Sequence, residues 1–169
     1  MEIEGKGNIL DVGCGNGDFK NWFVDCNYFG IDLKKRWLTN LPNLFVSDIS
    51  KGVPKRLSDK KFDYIVALAL IEHLKKPEKF LNDIKRRLAS GGKIILTTPH
   101  PLGEKAYGFG VRIGMFSKEA AEEHENLLSK KDFIKFSKKC NLKMVKYKRF
   151  LFGLNQLVVY ENGKNRNFR

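Results

Sequence analysis

Cysteine is scarce in this chain of 169 residues, where Cys14, Cys26 and Cys140 form an odd and widely spaced set. With no Cys-x-x-Cys pair among them, neither a zinc knuckle nor a disulfide framework is indicated. Long apolar runs are missing too. No stretch approaches the ~18 apolar residues that a membrane helix needs, and the N-terminus lacks a signal-peptide pattern, so a cytoplasmic protein with no membrane contact is expected. Acidic residues are the third shortage. The 19 Asp and Glu stand against 32 Lys and Arg, a formal net charge of +13. Such an excess suits contacts with nucleic-acid phosphates. Yet the lysines are scattered in pairs such as Lys60–Lys61, Lys75–Lys76, Lys130–Lys131 and Lys138–Lys139, and aromatics are not interleaved with them. They read first as solvated faces, with RNA kept as an alternative partner.

What is present is enough for one core. A chain of this length forms one ordinary domain rather than two, expected over residues 1–161, with 162–169 as a disordered polar tail. The clearest local signal is Ile9-Leu10-Asp11-Val12-Gly13-Cys14-Gly15-Asn16-Gly17-Asp18-Phe19. An apolar run of strand character passes into three alternate glycines, which let the backbone turn sharply and approach a ligand without intervening Cβ atoms. Asp18 to Asp25 follows as an expected helix with Phe19, Trp22 and Phe23 on one face. Strand, glycine turn and helix make a nucleotide-type site at the carboxyl end of a parallel strand.

The stretch resembles motif I of the class I S-adenosylmethionine-dependent methyltransferases, Asp/Glu-x-Gly-x-Gly-x-Gly, with Asp11, Gly13, Gly15 and Gly17 in place. A dinucleotide fingerprint would set its third glycine one residue further on. The resemblance implies S-adenosylmethionine as cofactor, with the turn residues Asp11 to Gly17, including Cys14 and Asn16, around it.

The rest of the chain alternates in the same rhythm. Tyr28 to Asp32 reads as a second strand, and the resemblance implies that Asp32, with Leu33 beside it, holds the donor ribose. A carboxylate suits that role because its two oxygens accept from two hydroxyls. Leu33 to Pro42 leaves room for a turn or two of helix. Leu44 to Asp48 reads as a third strand, and Asp48-Ile49 resembles the family's adenine-binding pair; a helix N-cap at Asp48 or Ser50 is the competing reading. Phe62 to Leu70 is apolar enough for a central strand buried on both faces, with Ala67 expected near the cofactor. Pro77 opens an amphipathic helix carrying Phe80, Leu81, Ile84 and Leu88, ended by Gly91-Gly92, and Lys93 to Thr98 is a fifth strand. A helix over Ser129 to Cys140 precedes a strand pair, Leu142 to Phe152 and Leu154 to Tyr160. The fold class expected is α/β: a doubly wound, Rossmann-like, seven-stranded sheet with a C-terminal antiparallel hairpin. The polar lead-in, Met1 to Asn8, differs from the longer segment that covers the donor in family members, so that cover is absent or supplied elsewhere; with the short second helix, this keeps as alternative an S-adenosylmethionine-binding partner subunit without activity of its own.

Glu72-His73, Pro77, Gly91-Gly92 and Thr97-Thr98-Pro99 resemble the branch that holds quinone-biosynthesis O-methyltransferases, which implies a small-molecule acceptor methylated on oxygen or nitrogen. His73 is the candidate base, with Glu72 as companion and His124 in the variable segment as a third candidate. Helix capping is the equal alternative for Glu72 and His73. Tyr107, Phe109, Met115 and Phe116 are candidates to line an acceptor pocket. A divalent metal, as in the similar small-RNA 2′-O-methyltransferases, is not expected, because Ala69 stands where those enzymes have a carboxylate. Nor is adenine or glutamine nitrogen the expected target, since Ala67 to Leu70 replaces their Asp/Asn-Pro-Pro motif.

Overall fold

The computed structural model describes residues 3, 6–23, 25–34, 43–102 and 126–163. Seven strands form one sheet in the order β3-β2-β1-β4-β5-β7-β6. Strands β1 (Asn8–Val12), β2 (Asn27–Asp32), β3 (Leu44–Val46), β4 (Phe62–Leu68) and β5 (Leu88–Pro99) are parallel neighbours. β7 (Asn155–Asn162) runs antiparallel to both β5 and β6 (Leu142–Phe150). Strand order reverses at β1 and β4, and the crevice outside their carboxyl ends is where such sheets bind ligands.

Alternation along the strands divides the core. Leu10, Val12, Ile65, Ala67, Ile94 and Leu96 pack on the face covered by two helices. Those helices are α1 (Pro77–Lys85), which buries Phe80, Leu81 and Ile84, and α2 (Lys130–Lys139), which buries Phe133 and Phe136. Proline at the first turn of α1 loses no needed hydrogen bond. Ser129 and Asp132 close a capping box on α2. Ile9, Val66, Ile95 and Val159 face the other way, against Phe23 and Tyr28. At the carboxyl end, the buried Gln156 amide donates to the carbonyls of Pro99 and Leu128 and accepts from the Tyr147 hydroxyl, bracing β5, β7 and β6 together.

Several boundaries differ from expectation. The segment after the glycine turn is a 3-10 turn, Asp18–Trp22, rather than a helix to Asp25. Asp, Phe, Asn and Trp are weak helix formers, and although Phe19 and Phe23 pack together, Trp22 is 75% exposed, so burial supports only part of the expected face. β3 stops at Val46, because Asp48 turns to cap the 3-10 turn Ile49–Lys51. α1 ends at Lys85, and Gly91-Gly92 lies within a longer β5 instead of ending the helix. Gly92 is needed there because a Cβ would stand 2.9 Å from the Phe62 carbonyl oxygen. The hairpin strands also change limits, with β6 ending at Phe150 and β7 running on to Asn162.

Candidate functional site

The glycine turn leaves β1 with Gly13, Gly15 and Gly17 at φ of +76°, +56° and +82°, the left-handed region where a side chain is strained. Amides of Gly13 and Cys14 both donate to the Ile31 carbonyl, fastening the turn to β2. A Cβ added at Gly13 would lie 3.2 Å from Leu70, whereas one at Gly15 would meet nothing within 4 Å among the described residues beyond its chain neighbours. The backbone at Gly15 therefore faces open space.

Asp32, at the end of β2, accepts from the Gly15 amide at 2.9 Å through Oδ2 and from the Lys34 amide at 2.9 Å through Oδ1. Each oxygen keeps a second lone pair for another donor. Asp48 Oδ1 accepts from the Ser50 amide and hydroxyl, and those two bonds hold its carboxyl below the ordinary range. Its capping use is thus present, and its second oxygen is 3.7 Å from Lys51 Nζ. Lys79 on α1 donates to the Ser50 carbonyl and to Asp83, tying this loop to the helix.

These ends enclose a cleft of about 570 Å³, within the ~300–1,000 Å³ of small-molecule sites. Of the residues singled out in the sequence, Gly13, Asp32, Leu33, Asp48, Ile49 and His73 line it. The remaining described ones are not part of the lining. Asn16 is exposed and bonded to Asp18, while Cys14 is buried under the turn against Gly30. Burial, then the charges of Asp11 and Asp32, push the Cys14 thiol up to about 12. Ala67 is fully buried on the face covered by the helices and is not part of the lining. Glu72 is 1% exposed in the 3-10 turn Ile71–His73, and its carbonyl accepts from the Asn126 amide. His124, Tyr107, Phe109, Met115 and Phe116 lie outside the described residues, so the trio of Glu72, His73 and His124 is not assembled among them.

Asp11 is 3% exposed and accepts from the Tyr28 hydroxyl at 2.5 Å. Burial, opposed by that bond and reinforced by Asp32, pushes its carboxyl up to about 6. Tyr28 was not singled out in the sequence, nor were Leu70, Lys76 and Lys79 of the cleft wall. Only Lys79 carried a signal, its i,i+4 spacing to Asp83.

Comparison with known proteins adds the family. The profile of a family described as a methyltransferase domain matches residues 2–147. The chain is 28% identical over 114 residues to a tRNA U34 carboxymethyltransferase of Stutzerimonas stutzeri, a match covering 58% of this chain and 34% of that protein. It is 28% identical over 112 residues to the ubiquinone biosynthesis O-methyltransferase of Rickettsia bellii, covering 61% of this chain and 46% of that one. The chain therefore spans less than half the length of these curated relatives. Among solved structures, it superposes with TM-score 0.74 and 13% identity on a chain from a complex of the Haloferax volcanii Trm112 methyltransferase activator with a methyltransferase, covering 96% of this chain and 85% of that one. At that identity the likeness is one of fold, and the C-terminal antiparallel strands are part of it. No helix among the described residues is long and apolar enough to cross a membrane.

Proposed function

The chain belongs to the class I methyltransferase-domain family, and from that membership we propose that it is a cytoplasmic enzyme using S-adenosylmethionine to methylate oxygen or nitrogen. One observation carries the reading: Asp32, at the end of β2, and Asp48, two residues past the end of the adjacent parallel β3, line the same cleft as Gly13. The residues fit the donor, since the space over Gly15 is open and the cleft is of ligand size. When bound, the sulfonium supplies an activated methyl group: its S–C bond breaks as the acceptor–carbon bond forms, and the acceptor's proton leaves to a base or water.

The chain's own task is mainly to position, which is where much of the acceleration of such a displacement arises. Asp32 accepts from the ribose hydroxyls through the lone pairs its backbone bonds leave unused. Asp48 accepts from the adenine amine, and Ile49 and Leu33 pack against the base and sugar. Bare backbone at Gly13 and Gly15 leaves room for the amino-acid portion, and the buried Asp11 places negative charge below it. His73, in the cleft wall, is the base for a hydroxyl acceptor, with Glu72 as its companion and His124 as the remaining candidate.

The acceptor is either the small molecule that the quinone-like sequence pattern suggests or an RNA. The ubiquinone-biosynthesis relative supports the first and the tRNA-modifying relative the second. The charge carried by α2 and β6 favours the second. A protein partner is a further expectation, favoured by the fold neighbour that came from an activator complex and by the exposed Trp22 beside the turn. Incubation with donor tritiated on its methyl group, against a panel of small acceptors and total tRNA, tests the reading. Label is expected in an acceptor. No transfer together with no donor binding would remove it.

A further inference from the structure

Charge is unevenly spread along the chain. Residues 126–163 hold nine Lys and Arg against only Asp132 and Glu161, so this segment carries more than half of the net +13. On β6, the edge strand of the sheet, Lys143 and Lys146 are three residues apart and would point to opposite faces of a regular strand. The register shift between Met144 and Lys146 corrects this. It pairs Lys143 with Glu161, Lys146 with Val159 and Lys148 with Leu157 on β7, putting all three lysines on the face turned away from α2. All three are exposed.

This row leads to the β6–β7 connection, where Leu151, Phe152 and Gly153 follow one another at φ of +50°, +54° and +84°. Bulky residues there are genuine outliers, since such turns ordinarily use Gly, Asn or Asp. Phe152 is fully exposed, at 103%, with Leu151 at 61% beside it. Arg149 grips the Gly153 carbonyl through Nε and Nη2, with guanidinium donors to spare. The tip stands at the carboxyl end of the sheet: the His100 amide donates to the Leu154 carbonyl at 2.7 Å, and Asn155 pairs with Pro99 at the end of β5. At ~4.8 Å per strand, this is roughly 12 Å across the sheet from the end of β4.

We infer that the β6 face and its hairpin tip form a docking surface for a single-stranded segment of the RNA acceptor, with phosphates along Lys143, Lys146 and Lys148 and a base stacked on Phe152. Basic groups tracking a backbone toward an exposed ring make up the recognition chemistry of single-stranded nucleic acid. An anionic membrane fits less well, because the charge runs back along the strand instead of ringing the tip. The inference rests on the methyltransferase reading and places the acceptor at the same end of the sheet as the donor cleft.

The test is fluorescence anisotropy with a labelled, unmodified tRNA transcript and the full chain, alongside calorimetry with S-adenosylmethionine. Phe152→Ala removes no buried contact and is expected to weaken RNA binding about ten- to hundredfold while donor affinity stays unchanged. Changing Lys143 and Lys148 together to Gln is expected to lower the slope of log affinity against log salt by about 1.4. Equal RNA affinity in wild type and Phe152→Ala, or no RNA binding at all, overturns the surface whatever the donor does. Sedimentation with phosphatidylserine vesicles that Phe152→Ala abolishes, with RNA binding untouched, would assign the tip to a membrane instead. Loss of donor binding in the wild type, with RNA binding intact, would remove the methyltransferase reading alone.

Discussion

The Tyr28 hydroxyl donates to Asp11 Oδ2 at 2.5 Å, joining β2 to β1 two residues before the glycine turn begins. The bond joins two side chains that project from the same face of neighbouring parallel strands, as the pairing of Ile9 with Tyr28 and Asp11 with Gly30 requires. It satisfies one carboxylate oxygen inside the sheet, but burial still dominates and the Asp11 carboxyl is pushed up to about 6 from 3.8.

That shift fixes a sign. The folded chain keeps the Asp11 proton to about pH 6, while the unfolded chain gives it up near pH 4. In that window the unfolded state binds fewer protons, so stability falls as pH rises, by ~3 kcal/mol at most. Asp11→Asn should lose this fall and be more stable than wild type at pH 7 in urea unfolding. Tyr28→Phe should do the reverse, extending the window upward and costing about 1–3 kcal/mol at pH 7. A fall of the wild-type size retained in Asp11→Asn would place its origin in another group.

Cys14 should be inert in the folded chain. Its thiol is buried and pushed up to about 12, so almost no thiolate is present at pH 8. Mass spectrometry after iodoacetamide treatment at pH 8 should find the Cys14 peptide unmodified until urea is added. Rapid alkylation of the native protein would contradict its burial under the turn.

Gly15→Ala separates stability from binding. At φ +56° the new methyl costs about 1–2 kcal/mol of stability, and among the described residues it projects into space with no atom beyond its chain neighbours within 4 Å. Donor affinity should therefore fall by much more than the strain alone implies, while the chain stays folded by circular dichroism. Unchanged affinity would mean that the donor does not approach this backbone.

Much of this arrangement was legible in the sequence because it is local. The apolar run of β4, the strand-ending acids Asp32 and Asp48, and the alternate glycines each carry their signal within a few residues. What was not legible depends on register between distant segments. Tyr28 meets Asp11 only because β1 and β2 pair in parallel. Lys143, Lys146 and Lys148 share a face only because β6 bulges, and for that reason scattered lysines did not read as a surface. The helix expected after the glycines failed on packing. Its aromatic pattern was present, but Trp22 finds nothing to bury against among the described residues and remains 75% exposed.

Phe152→Gly should stabilise the chain. Releasing a bulky residue from φ +54° recovers about 1–2 kcal/mol, less ~0.5–1 for the freedom glycine gains when unfolded. A rise in Tm of roughly 1–4 °C is expected. A lower Tm would show that Phe152 makes stabilising contacts in solution.

The most direct test of the donor site is calorimetric titration of S-adenosylmethionine into wild type, Asp32→Ala and Asp32→Asn. The wild type should bind with one site per chain. Asp32→Ala should lose at least tenfold, since bonds to a charged acceptor are worth about 1.5–3 kcal/mol. Asp32→Asn, which keeps an acceptor for the Gly15 amide, should fall between the two. Equal affinity in all three, or a wild-type chain that ignores this donor and binds a dinucleotide, would contradict the account.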